Sequence, residues 1–373
     1  MALFFYKGCE DMIYLDNSAT IPLCDAAKKA ILEHLDDYGN PSSSYEFGRK
    51  SRLLIENARE RIARCINAEP DEIFFTSGGS EANSWVTNNY MVISSKLEHH
   101  SLKAHYNDVF VNKNGVIDPQ YFSCINHKLA RLFEIISCMY INNEVGTIQS
   151  IKDIARVAHS KNMLFHTDAV QAVGHIPINV KELDCDMLSA SAHKFGGPKG
   201  VGFLYVKKSV DLKPMINGGQ QEFGLRGGTE NVLGIISMAA ALEDAVEHME
   251  ERNQHIKTLR DKMLDQLLKI EGARLNGSLK NRVVSNINIR FDGVSGSRLV
   301  TLCDLYGICI SAGSACNEGT AEPSHVLKTI GLSNAEALSS IRITIGHQNT
   351  EEEINEASSV ITKLVERIRT NEK

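Results

Sequence analysis

The segment Ser191-Ala-His-Lys-Phe-Gly-Gly-Pro-Lys-Gly200 sets Lys194 behind small and polar residues and closes it with a glycine-proline turn, ahead of the apolar run Val201-Gly-Phe-Leu-Tyr-Val206. A lysine at the end of a buried strand, beside hydroxyl and imidazole groups, suits a Schiff base with an aldehyde, because burial lowers its pKa and frees the amine lone pair. The alternative is a solvated lysine in a tight turn, so the surrounding residues decide. In Ser77-Gly-Gly-Ser80-Glu-Ala-Asn83, glycines, a hydroxyl residue and a helix start follow an apolar run, a pattern that places backbone N–H groups and Ser80 around a phosphate. His166-Thr-Asp168-Ala ends another apolar run in a carboxylate, which needs a partner if buried. A protonated ring nitrogen is one partner; a helix N-cap is the other reading of Asp168. In Glu98-His-His-Ser101, His99 offers an imidazole for stacking on a ring or for proton transfer.

Cys316 lies in Ser311-Ala-Gly-Ser-Ala-Cys-Asn-Glu-Gly-Thr320, a small-residue stretch with little apolar content. Such a stretch predicts a loop that exposes the thiol, and an exposed thiol can ionise and attack where a buried one is inert. The other eight cysteines, with no CxxC pair among them, read as reduced thiols, mostly of the core. No metal site is expected. An acid and a lysine on neighbouring strands, with a phosphate turn, form the pairing of pyridoxal phosphate enzymes, in which the ring acts as an electron sink.

The elements that would carry these residues alternate. Glu72–Thr76, Ile135–Ile141, Met163–Thr167, Met187–Ala190 and Val201–Val206 read as buried strands, and Ile151–Ala158 has helical spacing of apolar residues. This alternation predicts an α/β fold with a mostly parallel sheet, whose ligands bind beyond the carboxyl ends of the strands. Further on, a long helix from Leu233 to Ile270, broken near Met249, leads to strands at Ser285–Phe291, Gly307–Ile310 and Ser340–Ile345 and to a last helix over Thr350–Arg369. We therefore expect two domains: residues 16–250 as the large cofactor-binding unit, and 1–15 with 251–373 as a smaller α+β unit carrying the Cys316 stretch.

Two domains also suit 373 residues, a length beyond the roughly 250–300 at which single cores divide. With 43% apolar and 23% charged residues, the composition is that of a globular protein. A net charge of −6 with scattered basic residues argues against a nucleic-acid groove. No run approaches the length of a membrane span and the first nine residues are too short for a secretory signal, so a cytoplasmic protein is the expectation.

Taken together and in order, these motifs resemble the cysteine desulfurases of the NifS/IscS-like branch of the class-V aminotransferase, fold-type-I pyridoxal phosphate enzymes. The resemblance runs from Tyr14-Leu-Asp-Asn-Ser-Ala-Thr20 and Asn40-Pro-Ser-Ser43 through Asn142-Asn-Glu-Val-Gly146, Gly218-Gly-Gln-Gln-Glu-Phe-Gly-Leu-Arg-Gly-Gly-Thr229 and Arg342, nearly the whole chain. It implies a seven-stranded, mostly parallel sheet in the large domain. Lys194 would carry the cofactor and move protons, Asp168 would pair with the pyridine nitrogen, and His99 would stack on the ring. Gln171 and Asn143 would address the phenolic oxygen. Gly79, Ser80, Ser191 and His193 would hold the phosphate, joined by Thr229 from the second subunit of a homodimer. Arg342, with Asn143 nearby, would clamp the carboxylate of L-cysteine; the plainer reading of Arg342 is a sheet-edge arginine in an ion pair. Cys316 would take the sulfur as a persulfide, leaving L-alanine, for a sulfur-acceptor protein in iron–sulfur cluster or tRNA thiolation pathways. Ser80 stands where the family more often has threonine, which keeps the hydroxyl. Two alternatives remain: selenocysteine lyase or aminotransferase chemistry on the same fold, and a non-catalytic homologue that serves as a binding partner.

Overall fold

Buried apolar runs too short for helices pair into a central sheet in the computed structural model, which describes residues 12–123, 132–312 and 322–371. After the short β1 (Ile13–Tyr14), the sheet strands are β2 (Ile73–Thr76), β3 (Val92–Ser95), β4 (Tyr106–Val109), β5 (Ile135–Ser137), β6 (Leu164–Asp168), β7 (Met187–Ser191) and β8 (Gly202–Val206). They form seven strands in the order β2-β8-β7-β6-β5-β3-β4. From β4 to β7 every pair is parallel, whereas β8 is antiparallel to both β7 and β2. Only β8 therefore runs the other way, and the carboxyl ends of the other six strands share one edge. This is the mostly parallel α/β sheet the sequence predicts.

The five predicted strands are all present with shifted ends. The run Ile135–Ile141 leaves the strand after Ser137, but Cys138 and Tyr140 still donate to the carbonyls of His166 and Asp168, so the chain follows β6 out of the sheet. β3 and β4 were not predicted: each is four residues long, and β3 ends in Ser94-Ser95, whose buried hydroxyls hide it from an apolar reading.

The remaining strands are β9 (Ala273–Leu275), β10 (Asn286–Phe291), β11 (Ile308–Cys309) and β12 (Ser340–Thr344). β12, β10 and β9 make a three-stranded antiparallel sheet with β12 at its edge, and β1 pairs in parallel with β11. The long helical segment divides into Val232–Glu247 and Met249–Leu267, close to the predicted break. One apolar core packs on one face of the large sheet, and a smaller one, with Phe74, Trp85 and Leu204, packs on the other. Another joins Ile13 and Leu15 to side chains from Ile256 to Ile368. Val326, Leu327, Ile330 and Ala337 pack into the first core although they follow residue 251 in the chain. Among the described residues no helix is long and apolar enough to cross a membrane, and no group of three or more His, Cys, Asp or Glu is disposed to hold a metal ion.

Candidate active site

The shared strand edge explains why residues far apart in sequence meet. Thr76 ends β2 and feeds the turn to Ser80, β3 leads to His99, β5 to Asn143, β6 ends at Asp168, and β7 leads through a single 3-10 turn to Lys194. A cavity of about 410 Å³ opens there, lined by Gly79, Ser80, His99, Asn143, Asp168, Gln171, Ser191, His193, Lys194 and Arg342. Ten of the twelve predicted site residues thus line one space. Thr229 is exposed and does not line the cavity of its own chain. Cys316 lies outside the described residues.

At one wall, Gly78 takes φ +147°, a conformation side chains rarely adopt, and leads into the helix Gly79–Asn89. A Cβ on Gly79 would fall 2.5 Å from a Val170 methyl group, so the first turn closes onto the strand edge only because it lacks a side chain. The first helical N–H groups have no intrahelical acceptor, and with the Ser77, Ser80 and Ser191 hydroxyls they make a cradle for an anion. Glu81, in the same turn, also lines the cavity; it pairs with Arg226 (2.9 and 3.2 Å) and accepts the Ser77 N–H. Burial alone would raise its carboxyl, but these bonds hold it below the ordinary range. His193 is pulled down to about 4 by burial, helped by Lys194 and Lys199, and its Nδ1 lies 3.2 Å from the Thr20 hydroxyl. It therefore contributes a neutral imidazole at neutral pH.

The Lys194 ammonium donates to the carbonyls of Ser18 (2.6 Å) and Ala19 (2.7 Å). That turn is itself pinned: the Tyr14 hydroxyl donates to the Asp16 and Thr20 carbonyls, Asn17 donates to Thr344 O, and the Ser18 N–H donates to Thr344 Oγ1. Asp168 is 3% exposed, with Oδ1 accepting the Val170 N–H (3.0 Å) and Oδ2 the Asn83 amide (2.6 Å). A turn and no helix follows Asp168, so the Val170 bond is a local turn contact and not the helix N-cap of the plainer reading, and the carboxylate also lines the cavity. Gln171 donates to Ser18 O at 3.0 Å. Burial lowers the His99 pKa against the pull of the Asp168 carboxylate, with His100, Lys194 and His325 adding to the lowering. Just before it, burial pushes Glu98 up to about 8; one oxygen accepts the Met139 N–H and the other has no hydrogen-bond partner among the described residues.

Arg342 is 1% exposed on the edge strand β12. Its Nη2 donates to Asp16 Oδ1 (2.7 Å) and Nη1 to the Asn143 carbonyl (3.0 Å), while Nε is buried without a partner among the described residues. The ion pair of the plainer reading is present, and the residue also lines the cavity. Asn143 thus meets Arg342 through its backbone. The chain also approaches the Cys316 stretch from here: Ser311 bridges to Arg342 through both backbone hydrogen bonds. On the far side of that stretch, the Ser324 hydroxyl donates to the Glu144 carboxylate, and the His325 ring lies 4.6 Å from that of His100. Both flanks of residues 313–321 accordingly sit beside the cavity.

Sequence reasoning missed Asn83, Ser101 and Asp16 as site residues. Asn83 follows Ser80 by three positions, which puts both on one helix face, the only signal that would have found it. Asp16 begins no motif of its own, and its pairing across more than 300 residues with Arg342 is invisible without the fold.

Comparison with known proteins agrees with this geometry. The family model described as Aminotransferase class-V matches residues 13–356. A cysteine desulfurase IscS of Dictyoglomus turgidum is 42% identical over 96% of this chain and 95% of its own length. A solved NifS-like protein from Rickettsia africae superposes with a TM-score of 0.88 at 31% identity, covering 95% of this chain and 99% of that one. A solved structure of SspA in complex with cysteine gives 0.77 at 31% identity over 91% of this chain and all of the other. With its lysine, acid, imidazole and glycine-serine turn on one sheet edge and this similarity along almost its full length, the chain belongs to the class-V aminotransferase family, in its cysteine desulfurase branch.

Proposed function

We propose that the chain is a pyridoxal-5′-phosphate-dependent cysteine desulfurase that converts L-cysteine to L-alanine and moves the sulfur to Cys316. The observation that carries this reading is the convergence of Lys194, Asp168, His99 and Arg342 on one cavity beside a helix N-terminus. The family is pyridoxal-phosphate-dependent, and the residues fit that group. The cradle at Gly79, Ser80, Ser191 and His193 suits its phosphate, the buried Asp168 its ring nitrogen, neutral His99 its face, Gln171 and Asn143 its phenolic side, and Lys194 its aldehyde. Bound there, the cofactor supplies an electron sink next to the substrate α-carbon.

The protein's own residues do the rest. The Arg342 guanidinium, which lines the cavity, binds and orients the L-cysteine carboxylate. Lys194 holds and returns the proton at the α-carbon. The sulfur acceptor must be a thiolate. All six cysteines among the described residues have thiols pushed above the ordinary value by burial, Cys65 to about 11 and Cys303 to about 12. The flanks of residues 313–321 at the cavity favour Cys316 over Cys9 and Cys124. In the transfer the substrate C–S bond breaks and an S–S bond forms: L-cysteine and the Cys316 thiol give L-alanine and a Cys316 persulfide, which passes to an acceptor protein. We also infer the division into 16–250 and 1–15 with 251–373, supported by the separate core that joins Ile13 and Leu15 to residues 256–368, and a homodimer in which Thr229 serves the neighbouring site. Two ion pairs, Arg59–Glu222 and Arg226–Glu81, hold the loop that bears exposed Thr229.

Incubation with pyridoxal phosphate and L-cysteine should yield alanine, and Lys194→Ala should yield none. Keto-acid-dependent transamination without alanine from cysteine would favour an aminotransferase instead.

A further inference from the structure

One side chain outside the expected set connects two of its members. Asn83 Nδ2 donates to Asp168 Oδ2 at 2.6 Å and to the Ser101 hydroxyl at 2.9 Å. That hydroxyl lies 2.7 Å from His99 Nδ1, which also accepts the Ser101 N–H at 3.2 Å. Because Nδ1 accepts the Ser101 N–H, it carries no proton of its own, so the Ser101 hydroxyl donates to it and the neutral His99 ring carries its proton on Nε2. The amide is 1% exposed and its Oδ1 is buried with no partner among the described residues. Turned the other way, Oδ1 would face a carboxylate oxygen, so the acid fixes the orientation. An orphaned carbonyl is unfavourable in a core, and an apolar residue would avoid it; the amide keeps two hydrogen bonds that an apolar residue cannot make.

We propose that Asn83 is a positioning residue of this site: its single amide nitrogen holds the Asp168 carboxylate in place and ties it to the Ser101–His99 pair, so that the acid and the imidazole are set together. This inference rests on the pyridoxal phosphate reading above. The ionisable groups around the unit are Glu98 and His99 after β3 and Lys194 after β7, with His100 and His325 behind His99.

The test titrates pyridoxal phosphate into the full-length apoprotein from pH 5 to 9. Binding is followed by absorbance, and borohydride fixation with peptide mapping locates the cofactor. Asn83→Leu removes a hydrogen bond to a charged group and should loosen binding roughly 10–100-fold. Asn83→Asp sets a second carboxylate against Asp168, and the two titrate as one unit. It should bind close to wild type near pH 5, where a protonated Asp can still donate, and progressively worse as the pH rises. A merely structural loss would be the same at every pH. Should Asn83→Leu not fold, Asn83→Ser carries the same expectation. Variants that match wild type across the range overturn the inference, as does a loss that does not change with pH in Asn83→Asp. Wild type that takes up no cofactor at Lys194 overturns the underlying reading instead.

Discussion

Replacing Arg342 with lysine separates the two jobs of its guanidinium. Nη2 pairs with Asp16 and Nη1 holds the Asn143 carbonyl, which leaves Nε as the buried donor without a partner among the described residues. Lysine keeps a positive charge beside Asp16, so the fold should lose little beyond one hydrogen bond, about 1 kcal/mol. A single ammonium cannot satisfy Asp16 and also offer a planar fork to a carboxylate. The loss of one charge-assisted bond to the substrate, about 1.5–3 kcal/mol, predicts a fall in kcat/KM for L-cysteine of roughly 10–150-fold. Because that contact forms in the bound state as well as at the barrier, most of the change should appear in KM. The assay is alanine formation against L-cysteine concentration, with cofactor content checked by absorbance. 2-Aminoethanethiol, which lacks the carboxylate, should compete equally well against wild type and variant. An unchanged kcat/KM, or equal weakening for the amine without a carboxylate, would refute the assignment of Arg342 to the carboxylate.

Three other outcomes follow from the same geometry. His166 is buried between the Ser137 and Ser189 hydroxyls and its pKa is pulled down to about 3. The unfolded chain binds a proton below pH 6.5 that the folded one refuses, so stability is lost as pH falls from 6.5 towards 3, by up to about 1.4 kcal/mol per unit; denaturation midpoints of His166→Gln should fall less steeply over that window. Glu222→Gln leaves the Arg59 charge buried without its bidentate partner (2.8 and 2.9 Å) and should cost about 3–5 kcal/mol in chemical denaturation, whereas replacing both residues with apolar ones should cost much less. Brief iodoacetamide treatment near pH 7.5, followed by peptide mapping, should label Cys316 well before the buried Cys138, Cys185 and Cys303.

Much of the site was legible because a parallel sheet reads as continuous apolar runs and brings their carboxyl ends to one edge, so Thr76, Asp168 and Lys194 could be placed from the runs before them. What stayed hidden depends on contacts that local pattern does not encode. The Ser94-Ser95 end of β3 is buried yet polar. Asp16 meets Arg342 only because β1 and the turn after it lie along the second sheet. Asn83 sits inside a helix, where an amide reads as an ordinary surface residue until Asp168 is seen against it. Arg342 itself was reached through the resemblance rather than through its own neighbours, since Ser340-Ile-Arg-Ile-Thr344 reads as a plain strand.

The claim that sulfur leaves L-cysteine for Cys316 is tested most directly by a single turnover. Cofactor-loaded protein mixed with less than one equivalent of L-cysteine and no reductant should form alanine and persulfide in a one-to-one ratio, with the added sulfur on the peptide containing Cys316. Alanine formation with the sulfur on another cysteine, or undiminished sulfide release by Cys316→Ala, would contradict it.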